Sequence, residues 1–444
     1  MMQERGSDWR TILLAIGSAG GAALVFIGAV TVLVFGSLGN APTTLIVARR
    51  STLDLVVSAS ALVVIGAALL RAAYFSFMQL VGHGVPASAP RLLRVWQGIV
   101  LTILWATAAA GAGFLVDKPI VRWITPILYV LAIGVPVYFF TRLATGGLHP
   151  GSRQRTWGAF AAGIELGIVP AIVAEVLVAL IAVAGIAVYL SFQPDQLAVL
   201  KQLANELEHS GDPQKALSVA GPWLTSPFAL VLALLFFSGF APLIEETAKS
   251  LAVWSLFDRL TSPAQGFALG AISGAAFGLV ESLLVSATPD SSWAVTLLVR
   301  GASTMMHIMA ASLTGWGIAQ FRSTRRLTSL LGLYLAAFTL HSAWNASVVA
   351  ITFGSLHSAA VLNGSDALGI ALILLGGAML LALCLAIPLA MWGINWRLRS
   401  PAGAASASPA TARFSHPFPN QSDHGHDETS SESEQHPSPP PPLP

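Results

Sequence analysis

Long apolar stretches dominate the chain, each close to or above the ~20 residues that a bilayer core requires. They fall at 11–35, 53–80, 95–116, 120–141, 158–191, 226–257, 265–287, 293–321, 327–354 and 367–394. The pattern predicts an all-α polytopic membrane protein with about ten transmembrane helices. The sixth stretch is long, and Pro242 within it predicts a kink or break. Between the fifth and sixth lies a polar external segment, Gln193–Gly221, with a short helix expected over Asp195–His209. From about Pro401 the chain turns Pro/Ser/His-rich and acidic, a composition that cannot bury a core and predicts disorder. His416, His424, His426 and His436 in that tail read as solvated residues. The expected organisation is a membrane region of about five spans (1–191), the polar segment (192–225), a second membrane core (226–394) and a cytoplasmic tail (395–444).

Arg5 and Arg10 precede the first stretch, which is too long for the apolar region of a signal peptide; a retained first span is expected. Composition agrees with the pattern. Of 444 residues, 55% are hydrophobic and only 10% charged, and mean hydropathy is +0.71. A net charge of +2 gives no nucleic-acid footprint. Cys384, the single cysteine, excludes both an intrachain disulfide and a cysteine metal site. Arginines at 91/94, 142/153/155, 259, 322/325/326 and 397/399 fall on one set of loops. The other set holds Arg49/Arg50, Lys118/Arg122 and Lys201/Lys215, then no basic residue in its last two loops. The bias predicts both termini in the cytoplasm; the chain is expected in a bacterial-type plasma membrane.

Against this background Glu245-Glu246-Thr247-Ala248-Lys249 stands out. Each ionisable group near mid-bilayer costs roughly 2.5–3.5 kcal/mol, and such groups usually face a protein interior or a water-filled cavity. The next three spans add Phe277 and Glu281, then Arg300 and His307, then His341 and Asn345. Spacings of four and seven return to one helical face, so each helix can turn its polar set inward. Gly266, Gly270, Gly274 and Gly278 recur every four residues in span seven, a ridge suited to close helix approach in lipid. Glu245 and Lys249 match an i,i+4 ion pair, which leaves Glu246 unmatched. Glu165, Glu175, Asp54 and Arg71 show no comparable partners in the sequence and read as structural or pathway residues.

The chemistry that uses this inventory is water activation. A buried glutamate serves as general base towards water; one of Glu245 and Glu246 can be that base, Glu245 in the leading reading, while the other orients a partner or binds metal. Two histidines and a carboxylate, His307, His341 and Glu281, match a three-ligand Zn2+ site with one open position. A glutamate-only mechanism is the alternative. Asn345 is a candidate donor to a developing oxyanion. Neither HExxH nor GxSxG nor a Walker A loop occurs, and no intramembrane Asp pair suggests an aspartyl mechanism. Two other classes fit the residues: a proton- or cation-coupled transporter using the Glu/His set, and a non-catalytic scaffold. No repeat relates the two halves, which weighs against a transporter.

EETAK at 245–249, FGLVE at 277–281, RGASTMMH at 300–307 and HSAWN at 341–345 resemble the PrsW family of intramembrane proteases. They are more distantly similar to the CaaX-processing and bacteriocin-processing protease clan. The resemblance covers roughly 240–350 and implies a membrane-embedded endopeptidase. Its catalytic set would be Glu245, Glu246, Glu281, His307 and His341, supported by Lys249, Phe277, Arg300 and Asn345. It also implies membrane protein substrates such as single-span regulatory proteins, anti-sigma factors among them.

Overall fold

The computed structural model describes residues 9–38, 52–88, 90–116, 118, 123–210, 221, 223–360 and 366–399. The expected disordered tail from 401, residues 211–220 of the polar segment, and Arg49, Arg50, Arg122 and Lys215 lie outside the described residues. The chain is an all-α polytopic membrane protein. Its helices are α1 (Trp9–Leu38), α2 (Thr52–Leu80), α3 (Val95–Leu115), α4 (Thr125–Thr145), α5 (Arg153–Ser191), α6 (Pro194–Ser210), α7 (Pro227–Trp254), α8 (Pro263–Val285), α9 (Trp293–Thr324), α10 (Leu327–Ala360) and α11 (Ala367–Arg399). Among the described residues ten of these, all but α6, are long and apolar enough to cross a membrane. Span four begins later than its hydropathy suggests, at Thr125 rather than 120, with Pro126 in its first turn. The short helix of the polar segment is α6.

Successive helices alternate in direction, and side-chain contacts identify the end each reaches. Arg10 at the start of α1 pairs with Asp258 just beyond α7. Arg322 near the end of α9 donates to the Leu260 and Asp258 carbonyls. Gln265 at the start of α8 donates to the Pro150 carbonyl, and Asn395 near the end of α11 to Ala144 and Gly146. One face of the bundle therefore gathers Arg10, Arg142, Arg153, Arg155, Arg259, Arg322 and Arg399. A two-residue antiparallel bridge there, β1 (Ala87–Ser88) with β2 (Gly151–Ser152), clips the α2–α3 loop to the start of α5.

Helix α8 is the axis of the bundle: every residue from Gln265 to Val280 is buried. The glycine ridge explains why. A Cβ at Gly270 would lie 2.2 Å from the Ala311 carbonyl oxygen, and one at Gly274 2.4 Å from that of His307. Only glycine lets the α8 and α9 backbones approach this closely. Around them, large side chains of α5 such as Val173, Leu177, Ile181 and Val188 and of α11 such as Leu374, Leu381, Leu385 and Leu389 face outward, as lipid contact requires.

Two spans carry a π turn followed by a proline: Gly163–Ile168 before Pro170 in α5, and Leu234–Phe240 before Pro242 in α7. A proline has no N–H and its ring crowds the carbonyl four residues back, so the preceding turn must widen. Ala241 accordingly donates to Phe236, five residues back. The Phe237 carbonyl would then need the N–H of residue 242, which is proline. Asn345 of α10 supplies the missing donor, its Nδ2 lying 2.7 Å from the Phe237 oxygen.

Candidate active site

The part of α7 beyond its π turn presents Glu245, Glu246 and Lys249 to α5, α8, α9 and α10. Both glutamates and the lysine are buried, Glu246 completely. Lys249 does more than the i,i+4 pair expected from spacing. Its Nζ donates to Glu245 Oε2 at 3.0 Å and to Glu246 Oε1 at 2.7 Å, so Glu246 is matched after all. The third ammonium hydrogen points to His307 Nδ1 at 2.8 Å, and the Phe277 ring lies 4.1 Å from Nζ. Three hydrogens, two carboxylates, one imidazole and an aromatic face satisfy this buried charge. Ser273 fixes the backbone here by donating to the Lys249 carbonyl.

The histidines follow from the same accounting. An ammonium only donates, so His307 Nδ1 is an acceptor and the proton sits on Nε2. That Nε2 lies 2.7 Å from Glu281 Oε2, while Arg300 holds the other Glu281 oxygen at 2.7 Å. His341 is turned the opposite way. Its Nδ1 lies 2.8 Å from Glu246 Oε1, which leaves Nε2 with the lone pair. The two lone-pair nitrogens, His307 Nδ1 and His341 Nε2, each lie 3.8 Å from one atom, Glu245 Oε2. The rings meet edge to face with centroids 5.0 Å apart.

This donor set suits a metal ion. Donor atoms of Glu245, His307 and His341 lie within 4.8 Å of one another, and all three residues are buried. Tetrahedral ligands about 2.0–2.2 Å from zinc stand about 3.3–3.6 Å apart, so the two 3.8 Å separations need only slight tightening. Each histidine has its outer nitrogen at a carboxylate, the second-shell arrangement that orients metal-binding imidazoles. Glu246 Oε2 is buried without a hydrogen-bond partner among the described residues, a further lone pair available to a cation or a donor. The single lone pair of His307 Nδ1 is taken by Lys249, so an ion would bind there only once the ammonium had swung toward Glu246. Glu281, expected from the sequence as the third ligand, instead backs His307 from outside; Glu245 takes the inner place.

Five expected catalytic residues and Lys249, Phe277 and Arg300 therefore come together. Asn345 lies one turn beyond His341 but is engaged with the Phe237 carbonyl, not aimed at the histidines. Glu175 of α5 joins the site unforeseen: its carboxyl lies within electrostatic range of Glu245, Glu281 and Lys249, and its Oε1 is buried without a hydrogen-bond partner among the described residues. The one signal in the sequence was a carboxylate five residues after Pro170, in a span with no basic residue beyond Arg155. The other orphans stay structural. The Glu165 carboxyl lies against Gly17 and Gly21 of α1, and Arg71 stacks on Trp157 at 5.0 Å. The cluster opens on the side of Glu281 and Arg300, whose side chains are 26% and 19% exposed, while Lys249 and Glu246 are sealed.

Residues 156–375 match a family model described as PrsW family intramembrane metalloprotease. The matched segment starts well before residue 226 and takes in Glu175. Comparison with curated proteins and with solved structures gives no significant match.

Proposed function

We propose, from the match of residues 156–375 to the PrsW family model, that the protein is an endopeptidase that cleaves membrane-associated proteins with a water activated between Glu245, His307 and His341. The observation that carries the reading is the convergence of two oppositely oriented imidazole lone pairs on one Glu245 oxygen. Glu245, His307 and His341 would hold Zn2+, which when bound acts as a Lewis acid on the scissile carbonyl and acidifies a bound water. Glu281, clamped by Arg300, keeps His307 in the required tautomer, and Glu246 does the same for His341. Lys249 offsets the charge of the glutamate pair, whose burial would otherwise be prohibitive. The Glu245 oxygen not turned to the ion would take the proton that leaves the water and return it to the departing amine nitrogen. The exposed rim at Glu281 and Arg300 is where an extended peptide enters.

In this reading residues 226–394, joined by the Glu175 half of α5, form the catalytic core, and 1–191 otherwise frame it. Substrates are single-span regulatory proteins, anti-sigma factors among them, in a bacterial-type plasma membrane with both termini cytoplasmic. The test compares the membrane proteome of cells carrying the wild type with that of cells carrying Glu245→Ala at equal protein level. A fragment found only with the wild type is expected, and identical fragment patterns would reject the protease reading. Purified wild type should contain stoichiometric zinc that His307→Ala loses; wild type without metal would reject the metal centre.

A further inference from the structure

The polar segment between the fifth and sixth spans carries a surface that the Glu/His cluster does not use. Helix α6 begins at Pro194, separated from the end of α5 by Phe192 and Gln193 alone. Three residue steps reach at most about 11 Å, so its first turn stays beside the end of a membrane span. The helix is amphipathic. At about 100° per residue, Leu197, Leu200, Leu203, Ala204 and Leu207 share one arc of about 120°, interrupted by Gln196. The opposite arc carries Asp195, Lys201, Gln202, Asn205, Glu206 and Glu208. The bundle does not cover the leucine arc. Among the described residues α6 packs substantially only on the end of α5, and Ala204, within the arc, is exposed.

Aromatic side chains at both ends of the segment indicate what covers it. Tyr189 and Phe192 before α6 and Trp223 beyond it are exposed. Such rings collect at the headgroup level of a bilayer. Both ends of the segment therefore lie in the interface, and α6 runs between them. A helix with a leucine stripe, a charged opposite face and low net hydrophobicity rests there with its apolar side among the lipids. Its polar arc sets Asp195, Glu206 and Glu208 against Lys201, so attraction to anionic headgroups is not what holds it. We propose that α6 docks on the lipid surface at the membrane face opposite the arginines. Its leucine arc is inserted among the acyl chains and its acidic arc stays in water. Nothing in this depends on the protease reading.

The experiment is spin-label accessibility on the full-length chain in phosphatidylcholine nanodiscs, with Cys384→Ser as the background. Leu197→Cys, Leu200→Cys, Ala204→Cys and Leu207→Cys probe one arc, and Ala198→Cys, Gln202→Cys and Asn205→Cys the other. On the leucine arc, collision with oxygen, which concentrates in lipid, should exceed collision with a nickel chelate, which stays in water. On the polar arc the order should reverse, so that the ratio oscillates with the helical period of about 3.6 residues. Adding phosphatidylglycerol should leave the oscillation unchanged. Nickel contact all round the helix would place it in water and overturn the proposal. A leucine arc closed to both reagents would seat it against protein, a second copy or another chain, and overturn it equally. An oscillation seen only with phosphatidylglycerol would overturn apolar insertion as the cause. The reading is a period over several positions, so one variant that fails to fold leaves it intact.

Discussion

Gly274→Ala tests the link between backbone packing and the site. The added Cβ would stand 2.4 Å from the His307 carbonyl oxygen and 2.8 Å from the Ala311 Cβ. Ordinary contact begins at 3.4 Å, so α8 and α9 must separate by about 1.0 Å (3.4 − 2.4) at this crossing. Overpacking of this kind costs about 1–3 kcal/mol, while replacing a helical glycine by alanine returns roughly 0.5–1 kcal/mol. A net loss of up to about 2.5 kcal/mol remains. The same separation strains the contact between His307 Nε2 and Glu281 Oε2, now 2.7 Å across these two helices. A shift of that size takes it out of hydrogen-bond range. Activity should therefore fall together with stability. Gly377→Ala is the control, since nothing lies within 4 Å of a Cβ there; it should stabilise by roughly 0.5–1 kcal/mol. Thermal midpoints in mild detergent and cleavage of a co-expressed substrate measure both effects. If Gly274→Ala melted no lower than Gly377→Ala and cleaved normally, the packing argument would be wrong.

Lys249→Met removes the partner of two buried carboxylates and should cost about 3–5 kcal/mol, read as a large drop in midpoint; a second change, Glu246→Gln, should recover part of it. Asn345→Ala leaves the Phe237 carbonyl without a donor in a place where lipid offers none, for about 1–3 kcal/mol. A loss of only a few tenths would refute the capping role of Asn345. The Gly369 backbone N–H, together with His357 and Ser358, holds the Asp366 carboxyl below the usual aspartate range. A carboxylate held low stabilises the folded form above the ordinary aspartate pKa and loses that contribution as pH falls through the folded value. The midpoint difference between wild type and Asp366→Asn should therefore shrink as pH falls below about 4. A difference that persisted at low pH would contradict the assignment.

The spans, the small-residue ridge and the inventory of intramembrane charge were legible in the chain itself. Each is local: apolar length, a four-residue repeat and the cost of an ion in lipid need no knowledge of neighbours. The helical faces of EETAK, Glu281, His307 and His341 followed from spacing alone, and those residues do meet. Which atom faces which was decided only by tertiary packing. Lys249 reaches both glutamates because Glu246, three residues before it, shares its helical face as Glu245 does, and packing against His307 fixes the ammonium between them. The contact of α5 with α7 brings in Glu175, whose own stretch of sequence contains nothing to pair with. The close α8–α9 crossing seats Glu281 behind His307 and leaves Glu245 as the oxygen that both imidazoles share. Spacing places a side chain on a face of its own helix. The angle at which two faces meet is set by backbone contacts between helices far apart in sequence, and periodicity carries no record of it.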